Sequence, residues 1–409
     1  MFNEKEKLEE IIRLNNEVNR INDLDLLLEK ILTKARILAN ADAGSIYITE
    51  ENKLRFSHSQ NDTLSKNLPA GKKLIYTSFT LPIDNHSIAG YVAKTGEILN
   101  LEDAYKIPPD RPYHFSKDFD LVSNYRSKSM LTVPLKTTRK DIVGVLQLIN
   151  AQDDQGNIVA FTPEDEILIA HFANTAGTAI ERAQMTRTII LRMISMAELR
   201  DPMETGPHVN RVAGYSVEIF ESWAKKKGFS QKFIDEKRDL LRIAAMLHDV
   251  GKVAISDLIL KKPSRLNKNE YELIKQHTIL GARLFAHPKS EVDEAALEVV
   301  LNHHEHWDGT GYPGFIDPLS GKPIPGYEDT NGKPRPKRGE EIPVFGRVVA
   351  LADVYDALSS HRSYKKPWEE KKVLELIQTE AGRQFDPLMV EAFFSCLDVI
   401  HNIKKQYSE

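Results

Sequence analysis

The chain has 409 residues, of which 41% are hydrophobic and 28% charged, a composition typical of globular proteins and a length sufficient for two domains. Its formal net charge of −4 gives no electrostatic reason to expect binding to a nucleic acid polymer or to an anionic membrane surface. The single cysteine excludes an intrachain disulfide, and no apolar run approaches the roughly 18 residues that a membrane span requires. These features predict a cytoplasmic protein.

The first half of the chain has the pattern of an α+β domain. Apolar residues at helical spacing predict an N-terminal helix over residues 1–21, and Asp23 is the expected N-cap of a second helix that ends near Asn40. A short helix is expected at residues 87–95. Strands are expected at residues 43–49, 54–58, 130–135 and 142–150. We therefore predict one sensor domain over residues 22–183, with an antiparallel sheet and flanking helices.

Two segments of this half resemble the GAF domain family. They read S-I-A-G-Y-V-A at residues 87–93 and G-V-L-Q-L-I-N at residues 144–150. The resemblance implies a six-stranded sheet with helices on its faces and a pocket for a small ligand of unknown identity.

Members of this family that bind cyclic nucleotides carry a motif of the form N-K-n-F-x-x-x-D-E. This chain offers Asn150, Phe161, Asp165 and Glu166, but Ala151 replaces the lysine, which argues against a cyclic nucleotide. The second interpretation is structural: Phe161 would fill the core, and the two acids would stabilise the start of a helix.

A long helix is predicted to connect the two halves over residues 163–200. Its apolar positions follow the alternating 3,4 spacing of a two-stranded coiled coil. They are Ile169, Phe172, Ala176, Ala179, Ala183, Thr186, Ile190, Met193 and Ala197. The spacing predicts a parallel homodimer through this helix, and the alternative is that the helix packs on the chain's own two domains.

The second half, residues 188–409, has the pattern of an all-α domain and contains most residues that could bind a metal. Eight of the 13 histidines lie between positions 208 and 361. The candidate ligands are Glu204, His208, His248, Asp249, His277, His303, His304 and Asp353. His248-Asp249 alone would fit a buried ion pair, but the full set of imidazoles and carboxylates suits iron, manganese, zinc or nickel. A bridging aspartate could hold two ions, which favours hydrolysis of a phosphate ester.

His248-Asp249 together with Gly311-Tyr312-Pro313 resembles the HD-GYP family, bacterial phosphodiesterases that hydrolyse cyclic di-GMP. The resemblance implies two or three metal ions, most simply iron, with manganese as the alternative. The implied metal ligands are His248, Asp249, His277, His303, His304 and Asp353, with Asp249 bridging and with Glu204 and His208 holding a third ion. Asp249 and Lys252 would be catalytic, with Lys252 touching the scissile phosphate. Tyr312 would lie near a guanine, and Arg362 and Lys365 would hold the other phosphate and base.

The fold predicted for the whole chain is an α+β GAF domain followed by an all-α HD-type domain, joined by a long coiled-coil-like helix. The expected activity is hydrolysis of cyclic di-GMP to pGpG and/or GMP under control of the GAF domain. The alternatives are a module that binds the dinucleotide or a diguanylate cyclase partner without turnover, and a phosphodiesterase for another cyclic dinucleotide.

Two features depart from the family pattern. The stretch usually written R-P-Y-K reads Arg362-Ser363-Tyr364-Lys365 here, which removes no metal ligand. Residues 315–336 form an insertion rich in glycine, proline and charge. This insertion is expected to be a loop or a small hairpin at the mouth of the site, acting either as a lid or as an inert surface excursion.

Overall fold

The computed structural model describes residues 13, 17–69, 79–198, 206–262, 264–360 and 367–407, with the backbone alone for residues 197 and 198. The chain divides into two compact units, Met1–Arg187 and Thr188–Glu409. Three predicted site residues, Glu204, Arg362 and Lys365, lie outside the described residues, as does most of the predicted N-terminal helix, of which residues 17–20 are helical. In the described part of the chain, no helix is both long enough and apolar enough to cross a membrane.

The first unit is built on one antiparallel sheet. Its strands are β1 (Ala41–Glu50), β2 (Lys53–Asn61), β3 (Thr80–Pro82), β4 (Leu99–Leu101), β5 (Met130–Lys136), β6 (Ile142–Gln152) and β7 (Ile158–Val159). They lie in the order β3-β2-β1-β6-β5-β4, with β7 paired to β6. Its helices are α1 (Leu24–Leu38), α2 (Asp62–Lys66), α3 (Ile88–Thr95), α4 (Asp118–Ser123) and α5 (Pro163–Glu198), the last of which extends beyond residue 187. The predicted α+β fold with its antiparallel sheet is confirmed.

One face of this sheet packs against helices. Ile46 of β1 and Leu146 of β6 share an apolar core with Leu28 of α1 and Phe172 of α5. Asp23 caps α1 as predicted, because its carboxylate accepts hydrogen bonds from the backbone N–H groups of Asp25 and Leu26. The other face of the sheet carries a separate apolar cluster around Tyr47 and Val145, and it borders a cavity.

The residues of the cyclic-nucleotide motif have structural roles here. Phe161 is 4% exposed and belongs to the helix-covered core. Asp165 accepts hydrogen bonds from the backbone N–H and the hydroxyl of Thr162 at the start of α5. The side-chain amide of Asn150 donates to Tyr125 Oη and holds the adjacent loop. These contacts agree with the structural interpretation of the motif.

Most residues of the expected coiled-coil seam are buried inside the chain. Ile169, Phe172, Ala176, Ala179 and Ala183 all lie in the helix-covered core of the first unit, and Ile190 lies in the core of the second. For these residues the alternative interpretation is correct, because they pack on the chain's own domains. The seam residue Met193 is exposed, and so are Met185, Ile189 and Met196 of the same helix; the four side chains are 41–67% exposed.

The second unit is almost entirely helical, as predicted. Its helices are α6 (Gly206–Lys226), α7 (Gln231–Met246), α8 (Asp257–Leu260), α9 (Lys268–Lys275), α10 (His277–Ala282), α11 (Glu291–Asn302), α12 (Val344–Ser359), α13 (Glu370–Thr379), α14 (Pro387–Ser395) and α15 (Leu397–Gln406). Phe220 of α6, Leu241 of α7, Val299 of α11 and Leu351 of α12 meet in one apolar core. Each of these four helices carries a candidate metal ligand or leads directly into one.

The insertion at residues 315–336 contains a small β-hairpin. Strand β8 (Ile316–Asp317) pairs antiparallel with β9 (Lys322–Pro323). The guanidinium of Arg335 lies 4.6 Å from the ring centroid of Phe315, and it also pairs with Glu341 at 2.8 Å. Ile316 is buried in an apolar cluster with Val300 of α11. Of the structures expected for this segment, the hairpin is the one observed.

Candidate metal centre

Seven of the predicted ligands converge at one place in the second unit. They come from five segments: α6, the turn after α7, the start of α10, the turn after α11, and α12. They form two groups, and within each group one potential ligand atom of every residue lies within 4.8 Å of the others. The first group is Asp249, His277, His303 and His304, and the second is His208, His248 and Asp353. Glu204, predicted beside His208, lies outside the described residues.

A glycine brings two of these segments together. The turn after α7 contains His248 and Asp249, and Gly251 follows within it. A Cβ atom added to Gly251 would lie 1.9 Å from the carbonyl oxygen of His277 and 2.5 Å from the backbone nitrogen of Gly281. The turn therefore packs backbone against backbone on α10, an approach that a larger residue would prevent. This contact sets the distance between Asp249 and His277.

Asp249 lies between the two groups. Its Oδ1 atom is 3.1 Å from Nε2 of His277 and 3.6 Å from Nε2 of His303. Its Oδ2 atom is 3.3 Å from Nε2 of His248 and 2.7 Å from Nζ of Lys252. The two oxygens thus face different groups, which is the arrangement that a bridging carboxylate requires.

Hydrogen bonds to the backbone orient three of the histidines. In each, Nδ1 lies within hydrogen-bond distance of carbonyl oxygens about one helical turn earlier: 2.8 Å for His248 to Ala245, 2.7 Å for His277 to Ile274, and 3.1 Å for His303 to both Val299 and Val300. A carbonyl oxygen can only accept, so Nδ1 carries the proton and Nε2 offers its lone pair. Such orientation by outer contacts is typical of metal-binding histidines.

The resulting arrangement of lone pairs fits a cation. Nε2 of His277 and Nε2 of His303 are 3.4 Å apart, and both lie beside Oδ1 of Asp249. That oxygen is buried and accepts no hydrogen bond in the described part of the chain. Three electron pairs directed at one small volume repel one another unless a positive ion lies between them. The residues of the first group therefore fit a bound metal ion.

Burial and neighbouring charges favour the protonation states that bind metal. Burial raises the pKa of Asp249, but nearby positive charge, above all that of Lys252, holds the pKa well below its usual range. Burial lowers the pKa of His303, and burial together with the nearby His303 and His277 lowers the pKa of His304 well below its usual range. An ionised carboxylate and neutral imidazoles are the forms that coordinate metals.

A buried ion pair between Asp356 and Arg211 orients His208 of the second group. Neither residue of this pair was predicted from the sequence. Nε2 of His208 lies 3.7 Å from Oδ1 of Asp353, while its Nδ1 lies 2.8 Å from Oδ2 of Asp356. Asp356 is 1% exposed and also accepts two hydrogen bonds from Arg211, at 2.7 and 2.9 Å. Asp356 follows Asp353 by three residues, and Arg211 follows His208 by three residues. This matched helical spacing is the sequence feature from which the ion pair could have been predicted.

The Gly311-Tyr312-Pro313 motif lies against the first group. The ring of Tyr312 stacks on the ring of His304 with their centroids 4.8 Å apart, and Nζ of Lys275 lies 5.2 Å from the same tyrosine centroid. The backbone N–H of Tyr312 donates to the carbonyl of His304, at 3.1 Å. The backbone N–H of Gly314 donates to Glu305, whose side chain is buried. Neither Lys275 nor Glu305 was predicted from the sequence.

Two parts of this chain match known domain families, and these matches give the class of protein. Residues 205–358 match the HD domain, and residues 23–180 match the GAF domain. The chain is thus a GAF domain followed by an HD domain, as the sequence resemblance predicted.

Several curated relatives are phosphodiesterases of cyclic dinucleotides. A cyclic di-GMP phosphodiesterase of Thermotoga maritima is 38% identical over 204 residues, which are 50% of this chain and 47% of the relative. A cyclic di-GMP phosphodiesterase of Vibrio cholerae is 35% identical over 255 residues, 59% of this chain and 47% of the relative. The 3'3'-cGAMP-specific phosphodiesterase 2 of Vibrio cholerae is 34% identical over 212 residues, 52% of this chain and 35% of the relative. The match thus spans less than half the length of each of these relatives.

Proposed function

We propose that the HD domain hydrolyses cyclic di-GMP to pGpG and/or GMP in a metal-dependent reaction. The observation that carries this proposal is the pair of adjacent ligand groups joined by Asp249, with the Lys252 ammonium 2.7 Å from the joining carboxylate. Two neighbouring ions of this kind suit phosphoester chemistry in general. The choice of substrate is supported by the HD-GYP resemblance and by the names of the relatives.

The proposed ligands divide between the two groups. Asp249, His277, His303 and His304 would hold one ion, and His208, His248 and Asp353 would hold a second, with Asp249 shared. In the arrangement with three ions, His208 would instead bind the third ion together with Glu204, and His248, Asp353 and the shared Asp249 would hold the second. Iron is the proposed metal, with manganese as the alternative, because both accept mixed imidazole and carboxylate ligands. When bound, the ions would lower the pKa of water and stabilise negative charge on the phosphoryl oxygens.

The remaining site residues act on the substrate. The Lys252 side chain is 17% exposed and would place its positive charge against the scissile phosphate. The Tyr312 ring, which stacks on His304 and has the Lys275 ammonium over it, would offer its edge to a guanine. Arg362 and Lys365 would hold the second phosphate and base. Arg211 and Asp356 would keep the His208 ring in its binding orientation.

In this proposal the protein is cytoplasmic, and the GAF domain controls the rate of hydrolysis by the HD domain. The GAF domain would bind a small ligand in the cavity beside its sheet. The exposed apolar stripe of α5, formed by Met185, Ile189, Met193 and Met196, would be the contact between two copies of the chain. A diguanylate cyclase is a further partner that fits such a signalling role.

A second candidate substrate is 3'3'-cGAMP, because two relatives are named as specific for it. The test is to measure kcat/KM for both dinucleotides with the same preparation and to identify the products by chromatography. The proposal expects a higher kcat/KM for cyclic di-GMP, with pGpG or GMP appearing. The reverse order would move the assignment to 3'3'-cGAMP. Tight binding of either dinucleotide without turnover would leave only a binding module.

A further inference from the structure

The GAF domain contains a cavity of about 670 Å³ beside its sheet. Its wall includes alternate residues of β1, namely Ala43, Ser45 and Tyr47, and alternate residues of β6, Gln147 and Ile149. The residues between them on β1 and β6, such as Ile46 and Leu148, belong to the core on the helix-covered face. The cavity therefore lies on the sheet face away from α1 and α5. Its volume is in the range of pockets that hold one small molecule.

A row of four polar side chains crosses this face of the sheet. Thr132 of β5 pairs with Gln147 of β6, Gln147 pairs with Ser45 of β1, and Ser45 pairs with Ser59 of β2. Nε2 of Gln147 donates to Oγ1 of Thr132 at 3.2 Å, and the two serine hydroxyls lie 3.3 Å apart. Ser45, Ser59 and Gln147 line the cavity. These contacts use only part of the hydrogen-bonding capacity of the hydroxyl and amide groups. The row therefore offers donors and acceptors to a ligand with a hydrogen-bonding edge.

Aromatic side chains flank the polar row. The rings of Phe56 and Phe79 stack with centroids 4.7 Å apart, and the ring of Tyr47 meets Phe56 edge-on at 5.4 Å. Burial raises the pKa of Tyr47 to about 12, in keeping with an apolar wall. Phe119 of α4 also lines the cavity, although it is 49% exposed. Flat ring surfaces of this kind suit a flat aromatic ligand.

The charges of the cavity disfavour a phosphate. No lysine or arginine is found among the described residues that line it, and His114 is the one basic side chain there. The acids Asp118 and Asp120 also line the cavity. Asp120 already accepts hydrogen bonds from Ser127 and Tyr105. Among the described lining residues, a phosphate would meet two carboxylates and no lysine or arginine to pair with it.

We propose that this cavity binds an uncharged, flat heteroaromatic molecule. Its polar edge would hydrogen-bond with Ser45, Ser59 and Gln147, and its faces would contact the aromatic walls. A role of this ligand in controlling hydrolysis rests on the proposed function, whereas the binding itself does not.

The test is a fluorescence titration of the full chain with lumichrome, an uncharged tricyclic heteroaromatic. Saturable binding of one molecule per chain is expected, with no displacement by cyclic GMP, which carries a phosphate. Gln147→Leu removes the amide while keeping the side-chain size, and should weaken lumichrome binding about tenfold. Gln155→Leu makes the same change in an exposed turn and should bind like the wild type. Ser59→Ala, a smaller change in the same row, should also weaken binding and serves if Gln147→Leu does not fold.

Three results would overturn the inference: no saturable lumichrome binding, displacement of lumichrome by cyclic GMP, or wild-type affinity in both Gln147→Leu and Ser59→Ala. Circular dichroism of each variant establishes that the fold is retained. The proposed hydrolysis by the HD domain and the proposed ligand of the GAF cavity are tested by different measurements, so either can be contradicted without the other. Loss of cyclic di-GMP hydrolysis with intact lumichrome binding contradicts only the proposed activity of the HD domain, and the reverse result contradicts only the ligand class of the cavity.

Discussion

Nζ of Lys252 lies 2.7 Å from Oδ2 of Asp249, three residues earlier in the turn that follows α7. Oδ1 of the same carboxylate faces the imidazoles of the first ligand group. One turn of chain therefore carries both the proposed bridging ligand and the positive charge proposed to meet the phosphate. The two functions can be separated by substitution, because Lys252 has no lone pair to offer a metal when it is protonated.

Lys252→Met should leave the metal content close to that of the wild type and lower kcat for cyclic di-GMP by about 100-fold or more, the usual effect of removing one group that stabilises transition-state charge. Metal analysis and product chromatography on one preparation measure both quantities. Lys261→Met is the matched control, since Lys261 is 44% exposed and pairs with Asp257 outside the ligand groups. Loss of metal in Lys252→Met would mean that the lysine acts on the ligands rather than on the substrate.

Asp356→Asn should weaken metal binding or activity by about 10- to 100-fold, the usual effect of removing a group that orients a ligand. The reason is that Asp356 holds Nδ1 of His208 at 2.8 Å. Asp386→Asn is the control, because it also removes a buried carboxylate paired with an arginine, Arg347, but outside both ligand groups. Titration of metal into the two metal-free variants separates the effects. Equal metal affinity in both variants would reduce Asp356 to a stabilising residue.

Gly251→Ala should destabilise the HD domain by at least about 1–3 kcal/mol, the usual cost of overpacking, and should lower metal content. The added methyl would overlap the carbonyl oxygen of His277 and push the turn away from α10. Gly206→Ala is the control, because a Cβ atom there would have no described residue within 4 Å. Calorimetry and metal analysis give the two readings. A Gly251→Ala variant with normal stability and normal metal content would show that this close packing does not set the site.

The contact of Glu370 with α12 and α15 should make stability depend on pH. Oε1 of Glu370 accepts hydrogen bonds from Tyr355 and His401, each at 2.9 Å. Partial burial raises the pKa of Glu370, but the hydrogen bonds from His401 and Tyr355 outweigh it and lower the pKa below its usual 4.5. A pKa that is lower in the folded state stabilises the fold above the unfolded value, and this stabilisation is lost as the pH falls through the folded value.

Glu370→Gln should therefore lower the free energy of unfolding near pH 7 by up to about 1 kcal/mol, because the carboxylate is 40% exposed. The difference from the wild type should shrink as the pH falls below the usual glutamate pKa. Calorimetry across this range measures it, with Glu375→Gln on the exposed side of the same helix as the control. A difference that stays constant with pH would show that the charge of Glu370 contributes nothing.

Sequence reasoning selected seven candidate ligands that the structure brings together, because several of them stand in recognisable pairs. His248-Asp249 and His303-His304 are adjacent in the chain, and the helical pattern around each pair placed it beside a core. Arg211 and Asp356 could not be found in this way. They act through His208, and their spacing gains meaning only when α6 and α12 lie side by side.

The 3,4 spacing of apolar residues on α5 predicted that one face of the helix is buried. It did not predict which part of the protein covers that face. The same spacing serves a helix that packs on its own domain and a helix that pairs with a second chain. In the structure, Ile169 and Phe172 pack under the sheet of the GAF domain, while Met185 and Ile189 are exposed. The four predicted strands were placed correctly because alternating apolar residues are a local signal, whereas the short strands β3, β4 and β7 were not predicted. The polar row across four strands depends on register, which is not local.

The most direct test of the account is metal analysis coupled to a cyclic di-GMP hydrolysis assay, on protein purified without oxygen and without added metal. We predict about two or three iron or manganese ions per chain, with pGpG or GMP appearing, and loss of both metal and turnover in Asp249→Asn. Asp257→Asn, at a position 49% exposed in the same domain, should behave as the wild type. Hydrolysis by Asp249→Asn at the wild-type rate, or turnover by metal-free protein, would contradict the account.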